Sequence, residues 1–231
     1  MKIVFISNIL SPHQLHLCDE WVNMGVDLTF IETMNIDKET LPTGWKFTGG
    51  RDYLIDYAQF TCRQTEIRSR ILDADAVILG SAPKHLLQER LKRGKLTFIY
   101  SERIYKNLKQ VLKWPYHLWK YSRMYGRYEN LYLLCASAFS AADYRKVGCF
   151  KDKAYKWGYF TEVKDFDIEA SLDVSMSETA HLMWCARFLT LKHPELPVKM
   201  ARILKDKGYR FTLDMYGSGV ELENTKNLAK E

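Results

Sequence analysis

Short runs of β-branched and aromatic residues alternate along the chain with longer stretches of helical period, and this alternation predicts an α/β protein of βα units on a parallel sheet. Strands are expected at "KIVFIS" (2–7), "VDLTFIE" (26–32), "AVILG" (76–80), "LTFIYS" (96–101), "LYLLC" (131–135) and "KAYKWG" (153–158). Helices are expected near 12–24, 60–73, 84–93, 108–127 and 138–147, with Gly25, Gly94 and Gly148 just past three of their ends. After Gly158 the stretch "YFTEVKDFDIEASLDVSMSETA" is acidic and lacks a sustained period. Residues 161–180 therefore read as a linker between a first domain, 1–160, and a second, 181–231. The second domain restarts the pattern with a strand at 181–187, a helix at about 195–207 closed by Gly208, a strand at 210–216 and a helix from about 219. Leu196, Met200, Ile203 and Leu204 give its first helix an apolar face, and Pro197 falls in the tolerant first turn. Two parallel strands in about 50 residues bury little surface and leave a strand edge unpaired, so the chain is expected to stop inside this domain.

Composition narrows the class. A chain of 231 residues that is 47% hydrophobic can build an ordinary core, which excludes disordered and collagen-like classes. The formal net charge of +6 permits an acidic partner without requiring one. Cys18, Cys62, Cys135, Cys149 and Cys185 are odd in number, show no CxxC spacing and mostly sit in apolar runs, which fits a reducing compartment. The opening "MKIVFISNIL" is too short for a signal peptide's layout, and no window approaches the roughly 20 apolar residues that span a bilayer. The expectation is a cytoplasmic protein, soluble or peripheral at the inner face of the cell membrane.

Candidate chemistry concentrates where strands give way to helices. In "CARFLTLKHPE", Arg187 and Lys192 flank the turn between a strand and a helix N-terminus, where ligands bind in open α/β sheets and an anion meets unpaired N–H groups. "YGSG" puts Gly217 and Gly219 at the end of the next strand, where backbone can approach a ligand. Two ordinary solvated cations are the plain alternative. In "SPHQLH", His13 is placed to hydrogen-bond a substrate, while His16 reads as a helix residue; the pair lacks a third ligand at metal spacing, so no metal site is expected. "YSER" sets Glu102 and Arg103 at the end of a strand, where the carboxylate is placed to accept a proton from a hydroxyl, to hold a polyhydroxyl ligand, or only to order its loop by a salt bridge. "DAD" at 73–75 precedes a strand and reads as turn chemistry. From 103 to 127 seven Lys or Arg interleave with six Trp or Tyr and no acid. Lys113, Trp114, Trp119, Lys120 and Arg123 within it suit docking on anionic lipid; a plain amphipathic helix and a nucleic-acid surface stay open as alternatives.

The segment "MWCARFLTLKHPELPVKMARILKDKGYRFTLDMYGSGVELENTKNLA" resembles the start of the nucleotide-sugar domain of family-four retaining glycosyltransferases of the GT-B fold. "NLYLLCASAFSAADYRKVGCFKDKAYKWGYFTEV" looks like the last part of their acceptor domain, and "ISNILSPHQLHLCDEW" and "LTFIYSERIYK" are similar to bacterial members that build surface polysaccharides. The resemblance implies two Rossmann-like domains, the second incomplete, and retaining transfer of a hexose from a nucleotide sugar to a polysaccharide or lipid-linked acceptor without an obligatory metal or other cofactor. By it, Arg187 and Lys192 bind the donor diphosphate and Gly217 and Gly219 admit the nucleotide. No nucleic-acid partner is expected, that being the least favoured reading of 103–127. Ala186 stands where the family has Gly, "KHP" replaces Lys-Gly, and the family's Glu-x7-Glu segment would fall beyond Glu231. That leaves a second possibility, a non-catalytic acceptor or membrane-docking subunit completed by a separate chain.

Overall fold

The computed structural model describes residues 1–35, 50–169 and 179–230, arranged in two compact units, Met1–Val163 and Lys164–Glu231. The expected linker at 161–180 lies partly outside the described residues, which omit 170–178.

Unit 1 is a seven-stranded parallel sheet in the order β3-β2-β1-β4-β5-β6-β7. Its strands are β1 (Lys2–Ser7), β2 (Asp27–Glu32), β3 (Leu54–Ile55), β4 (Ala76–Leu79), β5 (Thr97–Ser101), β6 (Leu131–Cys135) and β7 (Ala154–Lys156). The order is Rossmann-like, with its topological switch between β1 and β4. β1 is buried from Ile3 to Ser7 and β4 throughout, the continuous apolar reading of a sheet covered on both faces. Successive side chains alternate between two cores. Val4, Ile6, Val77, Leu79, Ile99, Leu131 and Leu133 join one, and Ile3, Phe5, Leu28, Phe30, Ile78 and Leu134 the other. The helices are α1 (Pro12–Asn23), α2 (Tyr57–Cys62), α3 (Gln64–Asp73), α4 (Gln88–Lys92), α5 (Leu108–Leu112), α6 (Trp114–Tyr125) and α7 (Ser140–Lys146).

Four expectations need correction. β3 escapes the sequence pattern because two residues carry no period. The helix expected at 60–73 is two helices, with Asp56 capping the first by accepting from the Gln59 amide at 2.8 Å. The helix expected at 84–93 opens as a 3-10 turn, Lys84–Leu87, before α4. The one expected at 108–127 breaks at Lys113 into α5 and α6, because Pro115 has no amide to continue the ladder and suits a first turn instead.

Arg90 of α4 is fully buried, and its hydrogen bonds go to backbone carbonyls and a hydroxyl. Its Nη1 donates to the carbonyls of Ile71 (2.6 Å) and Ala74 (2.9 Å), its Nη2 to those of Asp75 (3.1 Å) and Leu96 (2.7 Å), and its Nε to Thr97 Oγ1 (3.3 Å). One planar fork thus closes the end of α3 and ties the starts of β4 and β5 together, with the negative end of the α3 dipole facing the cation. On the opposite face, Asp19 of α1 accepts from Arg51 Nε (2.8 Å) and Nη2 (2.9 Å) and from the Tyr53 hydroxyl (2.5 Å). The Arg51 hydrogen bonds hold the Asp19 carboxyl below the usual carboxylate range, against partial burial and with help from Tyr53.

Unit 2 pairs β8 (Ala180–Cys185) with β9 (Phe211–Tyr216) in parallel, with α8 (Glu195–Asp206) and α9 (Leu222–Lys230) following. Leu182, Trp184, Phe211, Leu213 and Met215 are half-buried on one face, while Met183 and Tyr216 on the other are exposed. The apolar face expected for α8 is split. Pro197, Val198, Ala201 and Leu204 turn inward, and Leu196, Met200 and Ile203 form a second stripe that stays exposed, because the helix has one sheet face to cover.

Replacing Arg90 by Met should cost about 3 kcal/mol or more, since several buried carbonyls lose their donor at once. Urea unfolding is the check, and a loss below about 1 kcal/mol would show that the clamp is dispensable. The Asp19 carboxyl, depressed in the folded state, contributes stability above its unfolded pKa of about 3.9, and that contribution fades as pH falls through the folded value. Asp19→Asn should therefore cost about 1 kcal/mol at neutral pH, with the gap to the parent protein closing under acid; a gap of constant size would contradict the assignment.

Candidate functional site

Two sets of residues gather at carboxyl ends of strands, one in each unit. In unit 1 the loop after β1 is anchored from β2. The Leu10 amide donates to Glu32 Oε1 at 2.7 Å, and burial raises the Glu32 pKa while that amide opposes the rise. Ser11 then opens α1 as a capping box with Gln14, and Pro12 occupies the first helical position. This sets His13 facing Tyr159, with ring centroids 4.5 Å apart, while the Phe160 amide donates to the His13 carbonyl at 2.9 Å.

The Tyr159 hydroxyl donates to Glu102, which also takes the Lys106 ammonium. His13 and Glu102, chosen separately from the sequence, therefore belong to one cluster, and Tyr159 is the link. No period or motif marked that residue; it follows β7, whose return beside β6 only the sheet reveals. Desolvation, then the Glu102 carboxylate, raises the Tyr159 pKa, and desolvation with the same carboxylate pushes the Tyr100 hydroxyl up to about 12. Both phenols stay protonated at neutral pH as donors.

Arg103 turns away from Glu102. Its Nε donates to the buried Asp143 at 3.3 Å, beside the Tyr105 amide at 3.1 Å, and its guanidinium lies over Phe139. Glu102 makes the loop-ordering salt bridge weighed as one reading of the sequence, with Lys106 on one carboxylate oxygen and Tyr159 on the other, yet its side chain keeps 46% exposure to solvent. His16 lies half-buried one turn along α1. Among the described residues no group of three or more His, Cys, Asp or Glu is arranged to hold a metal. The Asp75 carboxylate instead accepts the Lys2 amide at 2.8 Å.

In unit 2, Arg187 follows β8, and Lys192 closes a 3-10 turn, Thr190–Lys192, before α8. Both are exposed, and neither makes an ion pair among the described residues. The loop between them is pinned from β9. The Ala186 amide donates to the Tyr216 carbonyl (3.1 Å), the Phe188 amide to Ser218 (2.8 Å), and the Glu221 amide to Phe188 (3.0 Å). Gly217 and Gly219 have φ of 144° and 148°, and a Cβ on either would fall 1.9 Å from the Ala186 oxygen or 2.3 Å from the Phe188 oxygen. The backbone that these glycines admit is the chain's own, and it brackets Arg187. Glu195 in the first turn of α8 pairs with His193 at 3.1 Å, so the dipole end of that helix already carries a carboxylate.

The five residues singled out for membrane docking separate. Lys113 and Trp114 mark the α5–α6 junction, where Trp114 donates to the Lys146 carbonyl at 3.2 Å. Trp119, Lys120 and Arg123 line a cavity between α4 and α6. No helix among the described residues is long and apolar enough to cross a membrane.

No family model matches the sequence, and no curated protein does. Among solved structures, the chain is similar to an α-glucosyltransferase in complex with UDP and a 13-mer DNA containing a central A:G mismatch, with TM-score 0.47 and 12% identity over 99% of this chain and 58% of that one. The chain thus spans 58% of that protein's length.

Gly219→Ala should loosen the bracket around Arg187 by about 1–3 kcal/mol, the cost of a strained φ with a carbonyl clash. Amide hydrogen exchange at Phe188 reads it directly; unchanged protection there would rule out the bracket.

Proposed function

We propose that this chain transfers sugar: it takes a hexose from a nucleotide sugar and passes it, with retention, to a polysaccharide or lipid-linked acceptor. Unit 2 then corresponds to the nucleotide-sugar side of a GT-B-like protein, and unit 1 to the acceptor side. The observation that carries the reading is the glycine-pinned turn holding Arg187, with Lys192 after it, two exposed cations without counter-ions among the described residues, where β8 and β9 end. Such a turn suits a diphosphate. As the sugar–phosphate bond breaks, negative charge grows on the departing phosphate, and preorganised cations lower the barrier by stabilising that charge. In unit 1, His13, Tyr159 and Glu102 offer a donor and acceptor set for sugar hydroxyls, with Glu102 the candidate base once an attacking hydroxyl takes the place of Lys106 or Tyr159 on its carboxylate. Exposed Leu108, Leu112, Trp114 and Trp119, together with Lys113, favour working against an anionic membrane surface.

A second reading, a module that binds acceptor or membrane without transferring, draws on Glu195. Its carboxylate already sits at the helix N-terminus that a diphosphate would use.

UDP and GDP, tested in turn, should raise the melting temperature, a ligand at 100 times its Kd adding about 2.7 kcal/mol. Arg187→Ala with Lys192→Ala should abolish the gain. No gain from any nucleoside diphosphate at millimolar concentration would sink the donor-site assignment, and protection without turnover of any nucleotide sugar would favour the binding module.

A further inference from the structure

The basic, aromatic segment of 103–127 builds one wall of a hollow. Between the Lys84–Leu87 turn with α4 on one side and α6 on the other, above Ile99 of β5, lies a cavity of about 500 Å³. Lys84, Lys92, Lys120, Arg123 and Arg127 line it, and no carboxylate does. None of these five makes an ion pair among the described residues. Like charges around one hollow repel each other, and here the described residues supply no counter-anion.

Ring faces stand in for one. The Lys84 ammonium lies 5.3 Å and 4.9 Å from the ring centres of Tyr121 and Tyr125, Lys120 lies 5.5 Å and 5.4 Å from those of Tyr116 and Tyr121, and the Arg123 guanidinium 6.0 Å from that of Trp119. Local desolvation, then the Lys120 charge, pushes the Lys84 ammonium down to about 8, although the residue as a whole is exposed. A cation whose charge is disfavoured in this way gains when an anion arrives.

We propose that this cavity is a binding site for a phosphorylated ligand, with Lys84, Lys120 and Arg123 meeting the phosphate oxygens and Trp119 flanking the organic part. Phosphate suits it better than a carboxylate, because one group brings up to two negative charges and several acceptor oxygens to several donors. A nucleic acid suits it less well, since the cations surround one hollow rather than track a strand. The proposal does not rest on the sugar-transfer reading and leaves Arg187 and Lys192 aside. The phosphate has two sources, a soluble ester or a lipid headgroup, and the exposed Leu108, Val111 and Leu112 of α5 allow the second.

Calorimetric titration of the full chain with pyrophosphate and with glucose 1-phosphate tests the first source, and sedimentation with phosphatidylcholine vesicles, with and without phosphatidic acid, tests the second. Saturable binding in either arm is expected, weakened about tenfold or more by Lys84→Gln with Arg123→Gln. Lys205→Gln with Lys207→Gln, an equal loss of exposed charge in unit 2, should change it little. If the first pair melts early, Arg123→Gln with Arg127→Gln removes two exposed charges and leaves the tyrosines in place. Soluble phosphates alone would identify an ester, and vesicles competed by pyrophosphate a headgroup. No saturable binding in either arm, or an equal loss in the control pair, would overturn the site, whatever the nucleotide experiments with Arg187 and Lys192 show.

Discussion

Arg90 brings a fully buried guanidinium into unit 1, and three segments of the chain are drawn together to satisfy it. Four backbone carbonyls and one hydroxyl accept its protons, drawn from the end of α3 and the starts of β4 and β5. A buried charge tolerates no other arrangement cheaply, so the amino-terminal edge of the sheet is locked there. With that edge held, the register of β4 against β5, Val77 opposite Thr97 through Leu79 opposite Ile99, determines where their carboxyl ends emerge. The Lys84 turn and the Glu102 loop, which carry the chemistry, leave from those ends.

The two edges of the sheet treat charge in opposite ways. At the amino-terminal edge three charges find partners in the backbone: Arg90 and Lys95 in carbonyls, and Asp75 in the Lys2 amide. Toward the other end, Glu102 is paired but half open, Asp143 is buried against Arg103 and the Tyr105 amide, and the cations of the α4–α6 cavity rest on tyrosine and tryptophan faces. Charges left to aromatic faces keep most of their capacity for a better partner, since a ring quadrupole is worth far less than an anion. Unit 2 shows the same economy in its backbone, where Gly217 and Gly219 are consumed in holding the Arg187 turn while the arginine itself stays open.

What the sequence by itself determined is whatever follows from local period and turn chemistry. Parallel strands buried on both faces read as continuous apolar runs, and helices end at Gly25, Gly94, Gly148 and Gly208, all with positive φ. Arg187 and Lys192 were visible for the same reason, as cations flanking a strand-to-helix turn. Pro115 signalled a helix break, yet the continuous amphipathic pattern around it hid the break. Tertiary structure decided everything that depends on residues distant in sequence. Tyr159 joins His13 to Glu102 only because β7 returns beside β6. Arg90 looked like any charged residue on a short helix until three segments closed over it. Of the cations of 103–127, open on sequence to a membrane, a plain helix or nucleic acid, Lys120, Arg123 and Arg127 became part of a cavity wall once Lys84 and Lys92 were packed across from α6. Period reports which way a side chain points along its own element; it carries no information about what a crossover will bring to face it.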